Sequence, residues 1–393
     1  MNEKKKVIII GGGAAGLIAS IAAAESGAAV TVLEHNEKTG RKLYVTGNGR
    51  CNLGNLRKYQ GCYRGTHPGF AETALAKFSV KDTIEFFEKT GISVVDKNGW
   101  LYPRSGQAKC VPDLLEQRAR SLKVKIKTRE HVTDIYRENG SWTVKTEGWH
   151  YEGDAVILAC GSAASSVEGS DGSGYALAEK LGHHIVPLLP ALTGLKCRGK
   201  FSGWAGVRTE GEIRLFVEGV LCGKEAGELQ LTDYGVSGIP VFQLSRYALS
   251  AIHEGKKAEL FINFLPDRSK EETEAFIAGR RKITPYLSDG DILSGLFPDR
   301  LCRVLLKQKD LTAAIHEFPL TVTGSNGMAQ AQVCAGGVDT REVNPDTMES
   351  LICPGIYFAG ELLDIDGACG GYNLQWAWSS GRLAGCCSVK EKI

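Results

Sequence analysis

A glycine-rich turn between two apolar runs constrains the fold of this chain more than any other feature. Residues 7–16 read VIIIGGGAAG, an alanine-rich segment follows, and a second apolar run at 30–33 ends on Glu34. This order of strand, glycines, helix, strand and acid is expected of a dinucleotide-binding βαβ unit. A carboxylate at the tip of the second strand can accept hydrogen bonds from a ribose and would repel a 2′-phosphate. We therefore predict that the unit binds a nucleotide and that Glu34 contacts its ribose.

The three glycines of this motif and the two alanines between them have separate predicted roles. Gly11 permits the tight turn after the first strand, and Gly16 allows the helix to pack closely on that strand. Gly13 lets backbone N–H groups approach a pyrophosphate. Ala14 and Ala15 lie at the helix N-terminus, which attracts the phosphate charge. All five residues are predicted to bind the cofactor.

An alternative for the same stretch is a signal or membrane segment, because residues 7–24 are largely apolar and follow Lys4, Lys5 and Lys6. Three consecutive glycines in its middle and the acidic Glu25 after it argue against that alternative. The sequence contains no second candidate span. We therefore expect a cytoplasmic protein without a membrane partner.

Composition narrows the class of protein further. The chain has 393 residues, and its hydrophobic fraction of 43% is ordinary for a globular protein of two or three domains. Its 47 basic residues nearly balance its 45 acidic residues, so no overall field favours nucleic acid or an anionic membrane. We expect a small-molecule substrate and no nucleic-acid partner, and the composition leaves the oligomeric state open.

The chain contains twelve cysteines, and no two have the CxxC spacing of a zinc ribbon or a redox-active disulfide. We therefore expect mostly buried, reduced thiols and no metal site. Reactivity is the alternative for individual cysteines. Cys51 and Cys369 are the two candidates, because both lie in glycine-rich segments.

Residues 39–52, TGRKLYVTGNGRCN, are too rich in glycine and polar groups for a packed element. We predict that this stretch is a loop laid against a ligand. Helical patterns follow, one around 81–89 and another that opens at Pro112.

Strand patterns come next along the chain. Apolar and polar residues alternate on both sides of Asn139-Gly140, which predicts a β-hairpin at that dipeptide. The apolar run at 154–161 has the pattern of a buried strand closed by a glycine, so we predict that it returns to the parallel sheet. Such a strand brings backbone close to a cofactor, and Ala159 and Gly161 are predicted there.

The residue pattern of the sequence changes after about residue 190. Residues 199–238 are glycine-punctuated and β-like, whereas 241–252 and 270–307 look helical. Glycine-rich segments like those of the N-terminal part occur again in roughly the last seventy residues. We predict a discontinuous nucleotide-binding domain at 1–190 and 325–393 and an inserted substrate or cap domain at 191–324, β-rich over 191–238 and largely helical over 239–318.

The C-terminal part suggests a second anchor for the cofactor. A strand-like run ends on Gly360-Glu361, and Gly370-Gly371 precede a helix that begins near Asn373, so that helix N–H groups face an electron-rich ligand. A surface turn before an ordinary C-terminal helix is the alternative. Two distant anchors suit a long cofactor, so FAD fits better than free NAD. The sequence has no second GxGxxG after a strand, which argues against a separate NAD(P)H-binding Rossmann domain. NADH or NADPH, as the electron donor, must therefore dock on the flavin face by other means.

Five ordered motifs resemble one bacterial family. They are GRK at 40–42, GNGRCN at 47–52, NPDTMES at 344–350, GELLD at 360–364 and GGYNLQ at 370–375. Together they resemble the NAD(P)/FAD-dependent oxidoreductases that include aminoacetone oxidase and a 3-dehydro-bile acid Δ4,6-reductase, and the resemblance covers essentially the whole chain. It implies an α/β fold, with a Rossmann-like FAD-binding domain of the fumarate reductase and succinate dehydrogenase flavoprotein type, interrupted by a β-barrel-like and helical insertion.

The resemblance also implies which residues hold FAD. It places Arg41 and Lys42 along the cofactor, the backbone of Val132 at the adenine end, and Gly360 and Glu361 at the ribityl chain. Two further segments would approach the flavin. Their implied cofactor residues are Gly47, Asn48, Gly49, Cys51 and Asn52 in the first segment and Gly370, Gly371, Asn373 and Leu374 in the second.

One departure from the family pattern concerns catalysis. Many relatives carry a histidine beside the threonine of LTDYGVSG at 231–238, where this chain has Asp233, so a histidine proton donor cannot be assumed. If the reaction needs a proton on the substrate, Tyr234, Arg50 and Asp233 are the candidates. Each also has a structural interpretation, in which Tyr234 packs, Arg50 anchors a loop and Asp233 caps a turn.

Three functions remain open at this point. In the first, NAD(P)H reduces FAD and a hydride passes to an activated C=C bond of an apolar ketone such as a 3-oxo-Δ4 steroid or bile acid. The second is an FAD-dependent amine oxidase of the aminoacetone type, which produces hydrogen peroxide. The third is a flavin-bound RNA-modifying or regulatory protein, which the balanced charge disfavours. We expect the reductase.

Overall fold

The computed structural model describes residues 4–167 and 169–390, which divide into two compact units. The sheet unit comprises the described residues up to Leu188 and from Val333 onward, and the barrel unit comprises Leu189–Gln332. The boundaries expected from the sequence lie at 190/191 and 324/325. The roles assigned above to the two parts stay predictions.

The elements follow one another in chain order. The sheet unit begins with β1 (Lys6–Ile10), α1 (Ala14–Glu25), β2 (Ala29–Glu34), α2 (Arg41–Gly49), β3 (Gly54–Asn55), β4 (Tyr63–Arg64), α3 (Phe70–Lys77), α4 (Val80–Lys89), β5 (Val94–Lys97), β6 (Trp100–Pro103), α5 (Cys110–Ser121), β7 (Lys125–Thr128), β8 (Val132–Glu138), β9 (Ser141–Thr146), β10 (His150–Gly153), β11 (Ala155–Leu158) and α6 (Ser173–Lys180). After β12 (Ile185–Ala191), the barrel unit contains β13 (Leu195–Cys197), β14 (Arg208–Val217), β15 (Val220–Leu231), β16 (Gly235–Ser237), α7 (Ile239–His253), β17 (Ala258–Asn263), α8 (Lys270–Ile283), α9 (Asp299–Leu305), α10 (Leu311–His316) and β18 (Phe318–Ser325). The sheet unit resumes with β19 (Val333–Val338), β20 (Ile356–Phe358), β21 (Asp366–Gly367) and α11 (Tyr372–Cys387).

Five parallel strands form the central sheet of the sheet unit, in the order β20, β11, β1, β2, β7. Strands β1 and β11 are rich in valine and isoleucine and, apart from Lys6, fully buried. Burial on both faces is expected of parallel strands covered by helices. The predicted βαβ unit and the predicted return of 154–161 to the parallel sheet are therefore confirmed.

Helices α1 and α11 pack on each other through small residues. A Cβ on Gly381 would lie 2.5 Å from the carbonyl oxygen of Ala15, and a Cβ on Gly385 would overlap the carbonyl oxygen of Ala19. Glycine in a helix interior costs roughly 0.5–1 kcal/mol relative to alanine. The chain therefore gives up helix propensity at two positions of α11 to bring the backbones together.

The apolar N-terminal stretch, for which a membrane segment was the alternative, forms β1 and α1. Helix α1 has 12 residues, whereas about 20 are needed to cross a bilayer. Within residues 4–167 and 169–390, no helix combines the length and hydropathy that a membrane crossing requires.

The predicted hairpin at Asn139-Gly140 is also confirmed. Strands β8 and β9 pair in antiparallel fashion across this dipeptide, and both of its residues have positive φ, 49° and 86°. Such values suit the tight turn of a two-residue hairpin. Strand β7, from the same alternating region, instead pairs with β2 in the parallel sheet.

The barrel unit contains a closed barrel of six strands in the order β13, β16, β15, β14, β17, β18. Its apolar core includes Leu215, Leu229, Leu260 and Val322. Helix α7 falls where 241–252 predicted one, and α8 and α9 lie within 270–307. The barrel-like and helical character expected of the insertion is therefore confirmed.

Two assignments from the sequence are wrong in part. Residues 39–52, predicted as a loop, contain α2, whose backbone departs from helical geometry at Thr46, Gly47 and Asn48. Only Leu43 of this short helix is buried, so it has no apolar stripe for the pattern to reveal. The largely helical prediction for 239–318 overlooked β17, a six-residue strand with alternating burial between α7 and α8.

We expect Gly385→Ala to destabilise the protein, because the added methyl group would overlap the Ala19 carbonyl oxygen and lie 2.8 Å from the Cβ of Ala22. Overpacking of this kind costs about 1–3 kcal/mol. The matched control is Gly279→Ala in α8, where no atom lies within 4 Å of the new Cβ and a gain of roughly 0.5–1 kcal/mol is expected. Urea unfolding measures both changes, and equal effects would contradict the packing.

His183 is a buried imidazole in the sheet unit with two polar neighbours. Its Nδ1 lies 3.1 Å from Oε2 of Glu342, and its Nε2 lies 2.8 Å from Oγ of Ser350. Burial lowers the pKa of His183, and the nearby Glu342 offsets this only in part. In the neutral ring, Nδ1–H donates to Glu342 and Nε2 accepts from the Ser350 hydroxyl.

The lowered pKa of His183 makes stability depend on pH. An unfolded histidine titrates near pH 6.5, so below that value the unfolded state binds more protons than the folded state. The contribution of His183 is therefore complete above pH 6.5 and is lost as the pH falls through the folded pKa, by at most about 1.4 kcal/mol per pH unit. We expect His183→Gln to reduce the loss of unfolding free energy between pH 7.5 and 5.5, measured in urea. The same substitution at the exposed His150 should leave that loss unchanged, and the reverse result would refute the assignment.

Candidate functional site

The glycine turn after β1 combines close backbone packing with an uncapped helix start. Gly11 has φ of +100°, and a Cβ there would lie 2.5 Å from the Ala159 carbonyl oxygen, while a Cβ on Gly16 would overlap the carbonyl of Gly11. Gly13 is different, because nothing lies within 4 Å of its Cβ position. It is the N-cap of α1, with no side-chain cap, so the first N–H groups of α1 remain available to a phosphate. Gly11 and Gly16 therefore serve backbone packing, and Gly13 leaves room for a ligand.

Glu34 ends β2, where the sequence predicts it. Its Oε2 accepts a hydrogen bond of 2.7 Å from the N–H of Gly12, and its Oε1 accepts bonds from the backbone N–H and side-chain amide of Asn36 at 2.9 and 2.8 Å. The side chain is nearly buried, with 6% of the residue exposed. Two carboxylate oxygens offer about four lone pairs, so acceptor capacity remains for ribose hydroxyls.

A cleft of about 600 Å³ opens beside the end of β2. Its lining residues are His35, Asn36, Glu37, Arg41, Arg129, His131, Glu147, Gly169 and Asp171. The N–H of Glu130 donates to the Glu34 carbonyl at 3.0 Å, which ties the segment before β8 to the end of β2. Two predicted cofactor residues are thus near this place: Arg41 lines the cleft and Val132, with a buried side chain, begins β8.

The edge formed by the carboxyl ends of the parallel strands collects further predicted residues. Lys42 in α2 forms an ion pair of 2.9 Å with Glu361, whose other oxygen accepts from the N–H of Cys334 at 3.1 Å. Gly360 donates to the Ser380 hydroxyl at 2.9 Å, and a Cβ on it would lie 2.8 Å from the Cβ of Ala15. Ligands of open α/β sheets bind at this edge.

The two segments predicted to approach the flavin lie against each other. A Cβ on Gly371 would be 2.6 Å from the Gly54 carbonyl oxygen and 2.7 Å from the side-chain amide of Asn52, and Asn55 donates to the Gly370 carbonyl at 2.9 Å. Helix α11 starts directly after Gly371 without a side-chain cap. Uncapped N–H groups of α11 therefore sit beside the Asn52 turn.

Asn373 has a role that the motif did not indicate. Its Oδ1 accepts from the N–H of Gly367 at 2.8 Å, and its Nδ2 donates to the Gly367 carbonyl at 2.9 Å. The side chain therefore holds the loop before α11, and only the backbone of Asn373 is left for a cofactor. Asn48, in the non-helical part of α2, and Cys51, just after α2, both have positive φ, 54° and 58°.

The two cysteines singled out from the sequence are not activated thiols. Burial raises the pKa of Cys51 to about 12 and the pKa of Cys369 to about 11. A reactive cysteine needs a lowered pKa, because the thiolate is the nucleophile. The interpretation as buried, reduced thiols is favoured at both positions.

The three catalytic candidates lie in different units. Arg50 is exposed at the end of α2 in the sheet unit, and its charge acts on the hydroxyl of Tyr102, whose pKa is nevertheless raised by burial. Asp233 is exposed on the turn between β15 and β16 of the barrel unit. Tyr234 on the same turn is half-buried and covers Gly194, whose Cβ would lie 2.6 Å from the Tyr234 hydroxyl. Their roles stay predictions.

Sequence reasoning missed three side chains of the cleft, His35, His131 and Asp171. His35 follows Glu34 directly, so its neighbourhood could have been inferred from the βαβ motif. No local pattern marks His131 or Asp171, because they come from separate segments that only the fold brings together.

Comparisons with known proteins agree with this geometry. Residues 5–387 match the family described as HI0933-like protein Rossmann domain. The chain is 42% identical to a 3-dehydro-bile acid Δ(4,6)-reductase of Clostridium scindens, over 93% of this chain and 94% of that protein. It is 31% identical to a ribosomal RNA dihydrouridine synthase of Escherichia coli, over 92% of each.

Among solved structures, the chain is similar to a flavocytochrome c3 fumarate reductase in an open conformation, with a TM-score of 0.51 and 15% identity, over 99% of this chain and 78% of the other. At this identity the likeness concerns the fold alone. It agrees with a Rossmann-type FAD-binding domain carrying an insertion, as the sequence predicted. The chain belongs to the HI0933-like family of FAD-dependent oxidoreductases with a Rossmann domain.

Proposed function

We propose that this protein reduces a C=C bond conjugated to a carbonyl group in an apolar polycyclic ketone, such as a 3-oxo-Δ4 steroid or bile acid. The observation that carries the proposal is the 42% identity, over almost the whole of both chains, to a reductase of 3-dehydro-bile acids. A shared activity at this level requires a shared cofactor site. The glycine turn, Glu34 and the uncapped start of α11 support such a site.

FAD is the cofactor that these residues would hold. Gly13 and the uncapped start of α1 leave backbone N–H groups open to a pyrophosphate, Glu34 offers acceptors to a ribose, and the start of α11 offers N–H groups to the flavin. When bound and reduced by two electrons from a nicotinamide donor, FAD would supply the hydride for the C=C bond. We propose NADH or NADPH as the electron donor, in the cytoplasm.

We assign roles in substrate binding and proton transfer to the three catalytic candidates from the chemistry of their side chains. An arginine keeps its charge at all physiological pH values, so Arg50 is suited to binding a carbonyl oxygen and not to giving up a proton. Tyr234 has a hydroxyl that can donate a proton to the α-carbon or to an enolate oxygen. Asp233 takes the place of the histidine of many relatives, and its role stays open between a turn residue and a proton carrier.

RNA modification is the second candidate, because the chain is 31% identical to a ribosomal RNA dihydrouridine synthase. Uridine also has a C=C bond conjugated to a carbonyl, so the same hydride chemistry would saturate it. The prediction of no nucleic-acid partner rests on the balance of 47 basic and 45 acidic residues and on the absence of a basic stripe with aromatic residues from the sequence. We place the polycyclic ketone first because the bile acid reductase is the more similar relative.

The first test is anaerobic stopped-flow spectroscopy of the flavin-loaded protein. We expect NADH or NADPH to bleach the flavin absorbance and a 3-oxo-Δ4 bile acid to restore it, because the substrate takes up the hydride. Cholic acid, with no C=C bond, is the control ligand and should restore nothing.

Other outcomes distinguish the alternatives. Recovery with a ribosomal RNA transcript in place of the bile acid would transfer the assignment to uridine reduction. Failure of both nucleotides to bleach the flavin, combined with bleaching by aminoacetone and peroxide release in air, would establish an amine oxidase.

Glu34→Gln should weaken FAD binding by roughly 10- to 100-fold, because hydrogen bonds to a charged group contribute about 1.5–3 kcal/mol. Flavin fluorescence during titration of the flavin-free protein measures the affinity. Glu37→Gln is the matched control, since Glu37 lines the same cleft but is largely exposed and pairs with Arg129. Equal losses in the two variants would contradict a specific ribose contact of Glu34.

A further inference from the structure

Three potential metal ligands converge on the cleft beside β2. His35 follows the end of β2, His131 precedes β8 and Asp171 precedes α6, and all three line the cleft. One ligand atom of each lies within 4.8 Å of the corresponding atoms of the other two. Two imidazoles and one carboxylate are a ligand set that zinc and neighbouring transition metals accept.

The two imidazoles are not committed to other partners that the structure describes. Nε2 of His35 is buried and makes no hydrogen bond within the described residues, and its nearest acidic oxygen is Oε1 of Glu34 at 3.9 Å. The ring centroids of His35 and His131 are 6.1 Å apart and tilted by 50°, so the rings do not stack. Both side chains are half-buried. A buried nitrogen without a partner is costly, and a bound ion would satisfy it.

The charges around the three residues permit a cation. Asp171 is exposed, and its Oδ1 accepts a hydrogen bond of 2.9 Å from the N–H of Ser173. Arg129 lines the cleft but pairs with Glu37 at 3.2 Å. With Asp171 and Glu37, Glu147 brings the acids in the lining to three, against the two arginines Arg41 and Arg129.

We propose that His35, His131 and Asp171 bind a divalent first-row transition metal ion, with Zn²⁺ as the reference case. Zinc–nitrogen bonds of about 2.0–2.1 Å place tetrahedral ligands about 3.4 Å apart, so ligand atoms that lie up to 4.8 Å apart must approach one another by at most about 1.4 Å. Their partial exposure leaves the torsional freedom for this movement. Water completes the coordination on the open side of the cleft.

The position of this site gives it a consequence for the cofactor, which rests on the function proposed above. Glu34, the proposed ribose ligand, directly precedes His35, and Arg41, a predicted cofactor residue, lines the same cleft. An ion held between His35 and His131 would occupy space that the adenosine half of FAD needs. Metal binding to the flavin-free protein therefore competes with cofactor loading.

Zn²⁺ titrated into the flavin-free protein by isothermal calorimetry tests the metal site. We expect one ion per chain, and at least a roughly 10-fold loss of affinity in His131→Ala and in Asp171→Asn, because each removes a ligand. The control is His150→Ala, which removes an exposed histidine of β10 and should bind Zn²⁺ like the parent protein. Equal affinity in His131→Ala and His150→Ala would overturn the site.

A second titration tests the competition. FAD is added to the flavin-free protein with and without Zn²⁺, and flavin fluorescence is recorded. We expect Zn²⁺ to weaken FAD binding at least 10-fold in the parent protein and in His150→Ala but not in His131→Ala. An unchanged FAD affinity in the parent protein would overturn the competition. Failure of FAD to bind without metal would instead contradict the proposed function, and the first titration would still decide the metal site.

Discussion

Close approach of α1 to α11 is the constraint on which the rest of the candidate site depends. The N-terminus of α1 faces the predicted pyrophosphate and the N-terminus of α11 faces the predicted flavin, so the spacing of the two helices sets the spacing of the two anchors. Gly381 and Gly385 leave no room for a side chain between the backbones. A larger residue would separate the helices and move one anchor relative to the other.

Close backbone contacts also leave no room for side chains at Gly11 and Gly16 in the turn after β1. Gly11 is pressed against the strand end of β11 and Gly16 against Gly11, which joins β1, α1 and β11 into one rigid edge. Glu34 is tied to that edge through the N–H of Gly12. The predicted ribose contact at Glu34 and the predicted pyrophosphate contact at Gly13 would therefore be positioned by a single set of backbone contacts. The binding energy of one end of the cofactor need not be spent on ordering the other end.

Local sequence patterns predicted the parts of this structure that local physics determines. Glycine spacing identified the turn at Gly11–Gly16, and Asn139-Gly140 identified its hairpin, because positive φ is required at these places. The Lys42–Glu361 ion pair could not be predicted, since its partners are 319 residues apart. Helix α2 was missed because only Leu43 of it is buried, and β17 was missed because the apolar Phe261 at a partly exposed position hides the alternation of its buried residues. The His35, His131 and Asp171 cluster also arises only from tertiary structure.

Different substrates can present the same reacting bond to a flavin. A 3-oxo-Δ4 steroid and a uridine present the same conjugated C=C–C=O unit, so one hydride-donating cofactor site serves both. The 42% and 31% identities each extend over more than nine-tenths of this chain, as expected if a common cofactor site is retained while the substrate changes. Discrimination must therefore come from residues outside the cofactor cradle. Asp233, at a position where the family resemblance implies a histidine, is the first such position that this chain offers for comparison.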